Sequence, residues 1–166
     1  ANYRYSTLQV FDLLGISFGT AGIPKYQDLS FKMNFPLEKG KISLFGLLGR
    51  SSISMLDSEE NTTDLYTSEG MDLINGSGSL ACGLNYAIFH NHTTYSKLIV
   101  SYVGQNTSTD LDEFEWGNPP EPYYRENNFE KRLTFRYIFS KQISRHLSDR
   151  SGFTIDRFGY RLNAKL

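Results

Sequence analysis

Along much of this chain apolar residues return at every second position, the spacing of a β-strand with one apolar and one polar face. From Asp28 to Leu37 the odd positions carry Leu29, Phe31, Met33 and Phe35, with Ser30, Lys32 and Asn34 between them. Leu133, Phe135, Tyr137 and Phe139 repeat the pattern against Arg132, Thr134, Arg136 and Ser140. Leu80, Cys82, Leu84, Tyr86 and Ile88 alternate with Ala81, Gly83, Asn85 and Ala87, and Leu98, Val100 and Tyr102 line a further strand. No stretch combines helical periodicity with caps over a useful length. A chain patterned in this way folds as sheet.

Turn signals order the strands. Glu38-Lys39-Gly40-Lys41 reads as a tight turn, and a second strand runs from Ile42 towards Met55. Gly46 and Gly49 within it mark a bulge or a close backbone approach. His90-Asn91-His92-Thr93 turns the chain again, and a turn over 145–149 leads into a last strand over 150–165, whose phase slips near Arg157 as a bulge would make it. Residues 3–18 read as strand, with a short helix through Val10, Phe11, Leu13, Leu14 and Ile16 as the alternative. The expectation is all-β, an antiparallel meander of about seven strands of about ten residues each. Its connections alternate: short at 38–41, 90–93 and 145–149, long at 19–27, 57–77 and 105–128.

Composition removes several classes. With 17 Lys+Arg against 18 Asp+Glu the net charge is −1, which lacks the basic footprint of a nucleic-acid binder. Cys82 stands alone, so no internal disulfide framework forms, and no Cys/His cluster has zinc spacing. No apolar run approaches the roughly 18 residues of a transmembrane helix. A length of 166 residues and a negative mean hydropathy describe an ordinary single domain able to bury a core. A membrane β-barrel gives the same averages, because its apolar and polar residues alternate.

Charge placement separates these readings. Asp57, Glu59, Glu60, Asp64, Glu69 and Asp72 fall in the second long connection. Asp110, Asp112, Glu113, Glu115, Glu121 and Glu126 fall in the third, with Arg125 as its one base. A near-neutral chain is therefore acidic at one end of its sheet. A soluble antiparallel sandwich or small barrel, holding a sugar or hydrophobic ligand, also alternates, with its apolar face inward. The steady asymmetry of connection lengths favours a transmembrane β-barrel. In it Leu29, Phe31, Met33, Phe35, Leu133, Phe135, Tyr137 and Phe139 face lipid.

The segment Ile23-Pro24-Lys25-Tyr26-Gln27-Asp28-Leu29-Ser30-Phe31-Lys32-Met33-Asn34-Phe35-Pro36, continued by Ile42-Ser43-Leu44-Phe45-Gly46, resembles a known family. It looks like barrel sequence of a TonB-dependent outer-membrane receptor of the Bacteroidetes type. Gly83-Leu84-Asn85-Tyr86 and Asp156-Arg157-Phe158-Gly159-Tyr160-Arg161-Leu162-Asn163 are similar to later strands of such barrels. The resemblance implies a bacterial outer-membrane location, a barrel of about 22 strands around a plug, and ligand uptake energised through TonB. The chain opens on Ala1 and ends inside an extended pattern, so residues 1–166 are expected to be an internal piece of that barrel. Its expected partners are the rest of the barrel, the plug, the bilayer and an extracellular ligand, with TonB engaged through segments not in this chain.

No catalytic constellation accompanies this pattern, and no enzyme activity, cofactor or metal is expected. His90 and His92 read as solvated turn residues, as does His146. Gly76-Ser77-Gly78 lacks the strand-to-helix context of a phosphate loop. The pairs Asp110/Asp112 and Glu113/Glu115 have the composition of Ca²⁺ ligands or glycosidase acids, but no second element faces them. The ligand-contact candidates are Asp110, Asp112, Glu113, Phe114, Trp116, Tyr123 and Tyr124, where rings beside carboxylates suit a sugar or a flat organic ligand.

Overall fold

The two-residue period becomes one antiparallel sheet of seven strands in consecutive order. The computed structural model describes residues 1–7, 24–59, 70–115 and 117–166. The strands are β1 (Asn2–Thr7), β2 (Lys25–Leu37), β3 (Gly40–Leu56), β4 (Met71–Asn91), β5 (Thr94–Glu113), β6 (Glu121–Gln142) and β7 (Ser148–Lys165). A single 3-10 turn, Asp57–Glu59, follows β3. No helix among the described residues is long and apolar enough to cross a membrane.

Register sorts the side chains. Residues directly opposite one another share a face. One row across β2–β7 therefore holds Met33, Leu44, Leu84, Val100, Phe135 and Ile155, and the next holds Phe35, Ile42, Tyr86, Leu98, Tyr137 and Phe153. Apart from two tyrosine hydroxyls these rows carry no polar side-chain atom. All eight residues expected to face lipid lie on this face. The row behind them on the other face reads Asn34, Ser43, Asn85, Ile99, Arg136 and Thr154, and its neighbour Lys32, Phe45, Gly83, Ser101, Thr134 and Asp156. The sheet thus has an apolar face and a polar one.

Nothing covers the apolar face among the described residues. Of the apolar side chains only Ala87 and Phe114 are buried, and no large side chain is fully enclosed. Met33 is 45% exposed and Leu133 46%. The buried core expected from chain length is absent from the described residues, because a single sheet has no second layer to receive its apolar side chains. β1 and β7 are each paired on one side only.

The turns form at one end. Leu37 pairs with Gly40 across Glu38-Lys39. A Cβ on Gly40 would stand 2.0 Å from the Ala87 carbonyl oxygen, so the strand-to-strand approach there requires glycine. Asn91 Oδ1 accepts the Thr93 amide and hydroxyl, both at 2.9 Å, and fixes the turn at 92–93. Ser144 Oγ accepts from the Leu147 amide at 3.1 Å in the turn at 143–147. At the opposite end Thr7 pairs with Lys25, Leu56 with Asp72 and Glu113 with Glu121, so the strand ends flanking 8–24, 57–70 and 114–120 meet there and the expected alternation of short and long connections holds.

Several boundaries differ from expectation. β4 starts at Met71, so residues 71–77 are strand. β5 runs to Glu113 and β6 starts at Glu121, which shrinks the loop read over 105–128 to 114–120. Residues 25–27 belong to β2, and the last turn lies at 143–147, ahead of 145–149. Strands of 20 to 22 residues, as in β4–β6, are twice the expected length, because ladder hydrogen bonds continue where side chains turn polar on both faces. β3 is continuous in register through Gly46 and Gly49, and β7 through Arg157. Gly46 instead lies under the Phe31 ring opposite it. The irregularities that do occur are at Phe89/Asn91 and Leu111/Asp112. Of the segment 3–18, residues 3–7 are strand, and the helix alternative falls outside the described residues.

Candidate ligand surface at the loop end of the polar face

The loop end begins with a clamp. Asp72, buried on β4, accepts the Ser58 amide at 2.9 Å and the Ser58 hydroxyl at 2.6 Å. Asp57, also buried, accepts the Gly70 amide at 2.9 Å, where φ is +79°. The Phe114 amide then donates to the Gly70 carbonyl at 2.9 Å. The feet of two loops are thereby tied together, and the acids that do this are structural.

The carboxylates singled out in the sequence are engaged as well. Arg125 on β6 bridges Asp110, at 3.5 Å, and Asp112 on β5, and its guanidinium also donates to the Leu111 and Tyr124 carbonyls at 2.9 and 3.1 Å. Asp110 and Asp112 therefore hold β5 to β6 and are not open ligands. Glu113 is exposed at the strand end and Phe114 is buried beside it. Tyr123 is exposed at the Leu111/Asp112 irregularity, where β6 carries one more residue than β5. Trp116 lies outside the described residues. These seven residues do not form one cluster.

What the fold does assemble lies one strand further along, on the polar face. Tyr124 donates its hydroxyl to Glu126, Asn128 Nδ2 donates to Glu126 at 2.5 Å, and the Tyr160 hydroxyl donates to Asn128 Oδ1 at 3.0 Å. Residues 124, 126 and 128 project together because β6 alternates there, and β7 brings Tyr160 alongside. The hydrogen bond to the Glu126 carboxylate, with partial burial and the negative charge, raises the Tyr124 pKa above the ordinary tyrosine value.

Next to this string is a shallow depression of about 510 Å³ lined by Val103, Gln105, Glu130, Arg132, Phe158 and Tyr160. Arg132 stacks 5.3 Å above the Phe158 ring centroid. Its far edge is held by the bidentate pair to Asp156 at 3.1 and 3.0 Å. Two rings, a fixed guanidinium and amide and carboxylate groups suit a polar organic ligand with a flat or sugar-like surface. Sequence reasoning does not single out Glu126 and Asn128, because it reads 105–128 as loop, nor Glu130, Phe158 and Tyr160, which lie in stretches read as strand and carry no binding motif. No periodic signal marks the first two, since Glu121–Asn128 is polar on both faces.

The three histidines lie at the turn end, away from this surface. His90 Nε2 lies 2.6 Å from Ser96 Oγ, which also meets the Tyr137 hydroxyl at 3.1 Å, while His92 and His146 sit in turns at the far end. Among the described residues no three His, Cys, Asp or Glu side chains are placed to hold a metal. Gly76-Ser77-Gly78 is part of β4.

No protein-family model and no curated protein matches the chain. Among solved structures it has a likeness to the membrane pore complex of pneumolysin, with 7% identity and a TM-score of 0.14, covering 98% of this chain and 31% of that one.

Proposed function

We propose that this chain is a portion of the barrel of a TonB-dependent outer-membrane receptor, supplying wall strands and extracellular loops for energised ligand uptake. The carrying observation is the pair of uninterrupted apolar rows over β2–β7, with polar rows behind them and no second layer over them among the described residues. In a bilayer lipid replaces the missing layer, and neighbouring strands of the same barrel take the free edges of β1 and β7, where unpaired backbone groups would otherwise be costly. The short turns 38–39, 92–93 and 143–147 are periplasmic, and the acidic loop 57–70 and the loop 114–120 are extracellular. The polar face lines the lumen, and its depression beside Phe158 and Tyr160 contributes to the ligand path. The chain carries wall and contact residues and no catalytic ones.

The full protein tests this directly. It is expected in the outer-membrane fraction, to require detergent for extraction, and to change gel mobility on boiling, as folded barrels do. Recovery as a monodisperse species in detergent-free buffer overturns the reading. Ligand uptake that persists when TonB is removed overturns the receptor assignment while leaving the barrel.

A further inference from the structure

We propose that the loop-side edge of the apolar face is a docking surface for phosphate-bearing, anionic lipid of the bilayer. The inference rests on the membrane reading above and adds a chemically specific partner to it. Towards the loops that face carries a base on three strands: Arg157 on β7 one row beyond the apolar rows, Lys131 on β6 two rows beyond, and Arg50 on β3 three rows beyond. Arg161 lies two rows further along β7, in the row of Arg50. All four are exposed, and none takes part in an ion pair among the described residues.

Their isolation is a matter of face. Over the same rows the acids Asp28, Glu130 and Asp156 all project from the polar face, where Asp28 pairs with Arg4 and Asp156 with Arg132. On the apolar face no acid appears until Asp72 and Asp110, nearer the loops, and Asp110 is held by Arg125. Unpaired cations bordering a wide apolar surface are complementary to a lipid phosphate above its acyl chains. The stem of Lys131 lies along the backbone at Gly159, where a Cβ would meet its Cε at 2.7 Å, so its methylenes cover sheet. Beside Arg50 a depression of about 430 Å³ is lined by Gly78, Gly104, Tyr102, Asn106 and Phe129. It leaves room for a headgroup against Arg50.

The test uses the full receptor in detergent, titrated with dioleoyl phosphatidic acid or with dioleoylglycerol, and native mass spectrometry to count retained lipid. The two probes share acyl chains and differ in the phosphate. Wild type is expected to retain the phosphatidic acid preferentially. Each of Arg50→Gln, Lys131→Gln and Arg157→Gln should reduce that preference by about fivefold, and the triple variant should abolish it. Arg50→Lys with Arg157→Lys should preserve it, as should Lys32→Gln on the polar face. Equal retention of both lipids by wild type, or an unchanged preference in the triple variant, overturns the proposal; if the triple variant does not fold, the three single variants decide in the same way. A protein that retains neither lipid and is monodisperse without detergent overturns the membrane reading itself.

Discussion

Single residues in this sheet are constrained by what stands across the strand from them. Gly40 is the sharpest case, because the atom that its Cβ would strike belongs to the Ala87 backbone and has no rotamer by which to withdraw. Gly40→Ala is expected to destabilise the folded protein by about 3 kcal/mol, the upper range for forced overpacking, read as a lowered urea midpoint. Gly49→Ala, whose nearest neighbour is the Ser79 hydroxyl at 3.1 Å, should lie within about 1 kcal/mol of wild type. Tyr124 makes a second residue-scale prediction. Its folded pKa is raised, so it keeps its proton at a pH where unfolded tyrosine has begun to lose it. The stabilisation from its bond to Glu126 is therefore fully present below the ordinary tyrosine pKa near 10 and is lost as pH rises through the folded value. The tyrosinate absorbance missing from Tyr124→Phe should titrate above free tyrosine, and Glu126→Gln should move it back. An unshifted midpoint in the wild-type protein refutes the contact.

Elements in this chain are defined by the ladder more than by their side chains. Alternating apolar residues made the middles of β2, β4, β5 and β6 legible, since Leu29–Phe35 or Leu133–Phe139 fit only one face of a strand. The loop-side halves lack that contrast: Gln105–Asp110 and Glu121–Asn128 are polar on both faces, yet their backbone groups pair without interruption up to Leu111. Residues 71–77, where Asp72, Asn75, Gly76 and Ser77 break the alternation of Met71, Leu73 and Ile74, are strand because their backbone groups pair on both sides. Near Arg157 the apolar residues move to the other face as Phe158, Tyr160 and Leu162, which imitates a slip of register although the β6–β7 ladder runs straight through. The candidate site shows the same limit: Arg125 occupies Asp110 and Asp112, the carboxylates that sequence singles out, while Glu126, in the polar stretch that sequence reads as loop, holds Tyr124 and Asn128 on the polar face. The element boundary at the loop end can be tested through Asp72. Asp72→Ala removes the acceptor of both Ser58 hydrogen bonds and should cost about 1–3 kcal/mol locally. Faster hydrogen exchange at the Ser58 amide, with the β2–β3 turn unchanged, is the expected reading; uniform acceleration over the sheet refutes a local clamp.

For the whole molecule, the decisive property is the chemical difference between two faces one residue apart in sequence. Met33 and Asn34 are neighbours on β2, both exposed, but Met33 sits in a complete apolar row and Asn34 in a polar one. If lipid covers the first face, Met33→Arg places a charge in hydrocarbon and should cost about 2–4 kcal/mol, the penalty for a basic residue near the midplane of a barrel wall. Asn34→Arg places the same charge in a wet lumen already holding Lys32, Lys41 and Arg136, and should cost less than about 0.5 kcal/mol. In water, by contrast, two exposed positions on one strand should tolerate arginine alike. The difference between the two substitutions cancels strand propensity and side-chain entropy, because residue type and element are shared. Folded fractions of the two variants, measured by gel mobility with and without boiling, therefore report what solvent each face meets. A deficit confined to Met33→Arg supports the bilayer, and equal tolerance at both positions removes the physical basis for a membrane wall, whatever the resemblance of the sequence.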